Sequence, residues 1–167
     1  MDQNSNKSAM QNGLIAGLLI SFGFLLGTFD NGFLNLLKII ISIYSIFYLY
    51  TCSVKYRDKA LNSAMTFFEA FKYVFKVYIF ACIIESVIIL IYVHLFPNYL
   101  PTLMNKILKF YDAVNPKYVE MYYDSIVLTF KPSIFPISNL MSSAIFAAFL
   151  GLILGLFLKK EKSIFEE

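Results

Sequence analysis

One carboxylate stands apart from the other charges in this 167-residue chain. Glu85 falls near the middle of an apolar stretch running from Val74 to Phe96. A carboxylate at the centre of a bilayer costs at least about 2.5–3.5 kcal/mol on insertion scales, so it is turned inward, paired or protonated. Matching depths along the other apolar stretches puts Ser21, Tyr44, Ser45 and Ser143 level with it, and the five residues form a candidate midplane polar cluster. Two chemistries follow. A Glu85 that exchanges its proton would be a proton- or ion-responsive site of a transport or signalling protein. A Glu85 that stays protonated would stitch helices together through hydrogen bonds worth about 0.6 kcal/mol each.

Other chemistry-bearing residues form no constellation. Cys52 and Cys82 lie inside or at the end of apolar stretches and make no Cys-x-x-Cys pair, so they read as small buried hydrophobes. Cys52 also lies near a membrane face, where acylation is chemically feasible. His94 is the single histidine, which leaves a zinc site without its ligands. At the end of its stretch, it suits an amphipathic ring better than a pH sensor. Lys38 and Lys76 sit within two turns of helix ends and can snorkel to the headgroups. Asp112, Glu120 and Asp124 share a segment with lysines and read as a solvated face. Gly-rich phosphate loops, His-Glu-x-x-His and Gly-x-Ser-x-Gly do not occur. The expectation is a non-enzymatic protein with no catalytic residues, no cofactor and no metal.

Composition sets the solvent in which these residues act. Of the chain, 59% is hydrophobic and 15% charged, with 18 Phe and 12 Tyr. Typical soluble domains are about 45–50% apolar and about 25% charged. A soluble domain of this size leaves about 30% of its unfolded surface in water, too much for so many large apolar side chains. An ordinary soluble enzyme, a disordered chain and a nucleic-acid-binding domain are excluded. The lipid bilayer is the expected partner, and the net charge of +3 reflects lysines flanking membrane segments.

The pattern predicts an all-α membrane protein, a single domain over 1–167. It is a four-transmembrane-helix bundle with an extramembrane helical hairpin between helices 3 and 4. Four stretches, at about 13–29, 32–54, 74–96 and 137–158, meet the length of about 17–25 residues that a bilayer core requires. Residues 1–12 are polar and read as a short free tail. The first stretch lacks the cleavage pattern of a signal peptide and is kept as a helix. Phe29-Asp30-Asn31-Gly32 makes a tight hairpin turn. Thr66-Phe67-Phe68-Glu69 is a capping box, so helix 3 starts near Phe67. From there to Phe96 is about 45 Å of helix, longer than the bilayer core. The outer loop, 97–133, carries an apolar stripe of Leu100, Leu103, Met104, Ile107, Leu108 and Tyr111. Asn115-Pro116 starts a second helix there.

Small residues recur at helical spacing. Gly13 and Gly17, then Gly23 and Gly27, fall in helix 1. Ala144, Ala148, Gly151 and Gly155 stripe helix 4. Such stripes let backbones approach closely, either inside the bundle or across a homo-oligomer; another membrane protein is the remaining partner class. Lys and Arg divide eight against four between the alternate sides of the spans, in favour of the side holding both termini. The positive-inside rule then makes both termini cytoplasmic in a multi-pass inner (plasma) membrane protein.

Three groups of residues carry a family likeness. Tyr56-Arg57-Asp58-Lys59 follows the apolar hairpin, Phe67-Phe68-Glu69-Ala70-Phe71-Lys72 opens helix 3, and helix 4 ends in Lys159-Lys160-Glu161-Lys162. Their order and spacing resemble the small four-helix membrane proteins of Bacteroidetes grouped as domain of unknown function 4199, over about residues 8–162. That family tends to carry glycines before the aromatic segment, where this chain reads Leu61-Asn62-Ser63-Ala64. The resemblance implies the four-span topology and assigns no activity and no catalytic residue.

Overall fold

A computed structural model describes residues 2–61 and 63–160. Six helices follow one another among them: α1 (Asp2–Gly27), α2 (Gly32–Ala60), α3 (Phe67–Leu95), α4 (Tyr99–Val114), α5 (Pro116–Thr129) and α6 (Phe135–Leu158). Four are long and apolar enough to cross a membrane: α1 from Asn4, α2, α3 and α6. Glu161 and Lys162, part of the closing basic motif, lie outside the described residues.

Local signals explain where the helices start. Asn31 caps α2 through its Oδ1, which accepts from the amides of Phe33 at 2.9 Å and Leu34 at 3.3 Å. The capping box of α3 is closed in both directions. Glu69 Oε2 accepts from the Thr66 amide at 2.9 Å, and Thr66 Oγ1 accepts from the Glu69 amide at 3.3 Å. These bonds satisfy donors that a helix start otherwise leaves open. Asn115 Oδ1 accepts from the Lys117 amide at 3.1 Å, with Pro116 in the first turn of α5.

One expectation is corrected at the first helix. Residues read as a free tail form the opening turns of α1. Ser5, Ser8 and Asn12 continue, at steps of three and four, the face that Gly13 and Gly17 present further along. A polar segment lacking apolar periodicity of its own is thus recruited by the tertiary contacts described below.

Contacts divide the chain into two compact units. The first holds α1, α2, α3 up to Glu85, and α6 from Ser142. Its core gathers Leu49, Met65, Tyr73, Val77, Leu150 and Leu158, all buried. α1 and α3 run parallel, as successive contacts from Ser8 with Tyr73 to Gly17 with Ala81 show. A Cβ on Gly13 would lie 2.5 Å from Phe80 Cβ, and one on Gly17 2.9 Å from the Ala81 carbonyl oxygen. α1 and α2 form an antiparallel hairpin, in which Gly23 faces Ile41 and Gly27 lies under the stem of Lys38. On α6, Gly151 and Gly155 face the rings of Phe71 and Phe67. Ala144 and Ala148 are half-buried on the same helix.

The second unit spans Ser86–Met141. α4 and α5 pack as a helical hairpin, with Tyr111 and Tyr122 ring centroids 6.1 Å apart. Leu100 from the apolar stripe is buried at its start. Tyr99 packs edge-on to Tyr92 at 5.2 Å. Burial first, then the neighbouring Tyr92, push the Tyr99 phenol above its ordinary value, so it stays neutral here.

The turn between α2 and α3 carries the one left-handed non-glycine residue among those described, Ser63 at φ 62°. It stands in the segment where the resembled family tends to carry glycine. Left-handed backbone costs an L-residue roughly 1–2 kcal/mol, which glycine avoids. Ser63→Gly is therefore expected to stabilise the protein by about 1 kcal/mol. A raised thermal midpoint in detergent would show it, and a lowered one would refute it.

Candidate functional site

The midplane residues are only partly brought together. The Cys82 thiol of α3 lies beside Ser143 of α6, and Glu85 lies within electrostatic reach of both Cys82 and Tyr78. Tyr78 in turn packs against Phe146 of α6, with centroids 5.9 Å apart. Glu85 and Ser143 thus belong to one α3–α6 seam. Ser21 is buried on α1, and its Oγ has no hydrogen-bond partner among the described residues. Extending the parallel α1–α3 register by one turn beyond Gly17 puts Ser21 level with Glu85. Ser45 is also buried, but its hydroxyl donates to the Ile41 carbonyl of its own helix at 2.8 Å. Tyr44 turns outward and is 52% exposed, so α2 does not deliver it to the seam.

A second polar assembly lies at the other level of this unit, where the basic residues concentrate. Tyr73 Oη is 2.8 Å from Ser8 Oγ and accepts from Asn12 Nδ2 at 3.0 Å. Asn12 Oδ1 accepts from the Tyr48 hydroxyl at 3.1 Å. Three helices are thereby tied by side chains that lipid cannot hydrate. Tyr56 stacks on Tyr73 with centroids 4.0 Å apart and planes 4° from parallel. The one signal that could have revealed this network is the Ser8-x-x-x-Asn12 spacing, hidden in what reads as tail.

Arg57 closes the same end. Its Nη1 donates to the Leu158 carbonyl of α6 at 3.2 Å, and its Nε donates to Asp58 at 2.9 Å. Met65 and Lys160 exchange two backbone hydrogen bonds of 2.9 Å each. A cation near exposed carbonyls also suits the negative end of the α6 dipole. The three sequence groups that carry the family likeness therefore meet here: Tyr56 and Arg57, the start of α3, and Lys160.

Two clefts flank the Tyr56–Tyr73 stack. One, of about 210 Å3, is lined by Ser5, Glu69, Lys72 and Lys76 among others. The other, of about 410 Å3, opens between α1 and α2 and is lined by Asn4, Ser8, Asn12, Cys52, Lys55, Tyr56, Lys59 and Ala60. No group of three or more His, Cys, Asp or Glu able to hold a metal occurs among the described residues.

Comparison with known proteins gives a family and no activity. No curated protein and no solved structure matches the chain. The family described as Protein of unknown function (DUF4199) matches residues 11–160. That span takes in the Gly13 and Gly17 contacts of α1 with α3, the Arg57 clamp and the Met65–Lys160 pairing, and the chain belongs to this family.

Proposed function

We propose that the protein is a non-enzymatic module of the inner membrane, with both termini cytoplasmic, that holds a rigid basic platform for interaction at one membrane face. The Arg57 clamp carries this reading. It locks the ends of α2 and α6 to each other, next to a three-helix hydrogen-bond network and an aromatic stack. Rigid presentation lowers the ordering cost that a partner meets on binding. The glycine faces of α1 are already filled by α3 and α2, and those of α6 by α3, which supports a partner meeting the basic end rather than those stripes. Affinity purification from native membranes tests the reading. The expected result is a set of proteins absent from empty-membrane controls; a list identical to the controls overturns it.

A second reading rests on the seam between α3 and α6. The buried Ser21 hydroxyl, without a partner among the described residues, favours a site at the level of Glu85 that a proton or ion could occupy. Glu85→Gln keeps shape and removes the titrating group. If this reading holds, ion or proton flux in proteoliposomes is lost while folding is kept. If folding, abundance and cellular phenotype all survive, Glu85 is a packing residue.

A further inference from the structure

The two clefts beside Tyr56 differ in their charge balance. In the smaller one, Glu69 supplies a carboxylate and Lys76 Nζ donates to Asn6 Oδ1 at 2.8 Å. In the larger one the lining contains no carboxylate among the described residues. Lys55 and Lys59 are one helical turn apart on the same face of α2, both exposed, and neither makes a hydrogen bond or ion pair among the described residues. Like charges at this spacing repel, and here no counter-charge from the described residues offsets them. Asp58, the carboxylate between them in sequence, is engaged by Arg57 at 2.9 Å.

The opposite wall is polar and held in place. Ser8 and Asn12 line it, fixed by their bonds to Tyr73. Tyr56 forms an aromatic wall and is braced by its stack on Tyr73. At about 410 Å3, the cleft falls in the range of small-ligand sites. Its depth is telling as well. Lys55 and Lys59 occupy the closing turns of a membrane-spanning helix, the level at which phospholipid headgroups lie. Basic pockets between membrane helices attract anionic headgroups.

We propose that the cleft between α1 and α2 binds a phosphate-bearing anion between Lys55 and Lys59, supplied at this depth by the headgroup of an anionic phospholipid. This goes beyond the interaction platform and does not require a protein partner. Tyr56 and the polar wall shape the site, and the two lysines supply the charge.

Native mass spectrometry of the full chain in neutral detergent, titrated with phosphatidylglycerol and phosphatidylcholine, tests it. The wild type is expected to retain phosphatidylglycerol in preference. Lys55→Gln with Lys59→Gln should weaken that binding about 25-fold, roughly fivefold for each lysine. Ala60→Trp keeps both charges but fills the cleft mouth, and should give a comparable loss. Lys109→Gln with Lys117→Gln changes net charge equally and should have no effect. Persistence of the lipid in millimolar inorganic phosphate supports the headgroup as occupant. Displacement by phosphate supports the anion site but overturns the lipid as its source. Equal retention of the two lipids, or an equal loss from the Lys109/Lys117 pair, overturns the proposal.

Discussion

Replacing Gly17 with valine is expected to destabilise the protein by about 3 kcal/mol. A Cβ there would already lie 2.9 Å from the Ala81 carbonyl oxygen and 2.9 Å from Ile84 Cβ. The first of these is backbone, so no side-chain rotation can relieve the clash; α1 must move away from α3. Moving it also stretches the Ser8 and Asn12 bonds to Tyr73. The prediction is sharpest as a ranking of alanine substitutions. Of Gly17→Ala, Gly155→Ala and Gly32→Ala, the first should cost most. Gly155→Ala should cost about 1 kcal/mol, because its Cβ meets a Phe67 ring at 3.1 Å that can shift. Gly32→Ala should be near neutral, since nothing lies within 4 Å. Unfolding titrations in detergent give the order, and a Gly17→Ala variant as stable as Gly32→Ala would refute the close α1–α3 approach.

Arg57→Met is expected to cost about 2 kcal/mol, the scale of a charge-assisted hydrogen bond whose acceptor is left partly buried. Methionine keeps much of the aliphatic stem, so the loss reports the guanidinium rather than packing. Arg57 binds the Leu158 carbonyl and Asp58 at once, a fork that lysine does not reproduce. Arg57→Lys should therefore recover little. Hydrogen exchange provides a local check. The Lys160 amide, bonded to the Met65 carbonyl at 2.9 Å, should lose protection in Arg57→Met while amides in the middle of α3 keep theirs. Unchanged protection at Lys160 would mean that the backbone pairing holds this end without Arg57.

These two sites also mark what sequence can and cannot reveal in such a chain. The spans, the capping box at Thr66 and the Asn115-Pro116 start were legible because each is a local signal, set by residues within a few positions of one another. The Arg57–Leu158 bond joins residues 101 positions apart, and no local pattern announces it. The orientation of Tyr44 was illegible for another reason. A membrane helix that is apolar nearly all round has no amphipathic stripe to fix which face turns inward, so depth alone put Tyr44 in the cluster. Ser143 and Glu85, matched by depth alone, lie along the α3–α6 seam. The opening turns of α1 carry no local helix signal because their helical face is polar and is organised by Tyr73, 65 positions beyond Ser8.

That separation has a meaning in time. Ribosomes add about 5–20 residues per second, so Tyr73 emerges roughly 3–13 s after Ser8. Throughout that interval α1 exists without α3, α2 is completed only toward its end, and Ser8 and Gly17 face something other than their eventual partners on α3. Tyr48, whose hydroxyl reaches Asn12, is made earlier than Tyr73 and can shelter part of that face. The Arg57–Leu158 bond must wait longer still, about 5–20 s after Arg57 is made. Assembly at the basic end is thus a sequence of deferred contacts, and the nascent hairpin is the stage most exposed to capture by other membrane proteins or to extraction from the bilayer.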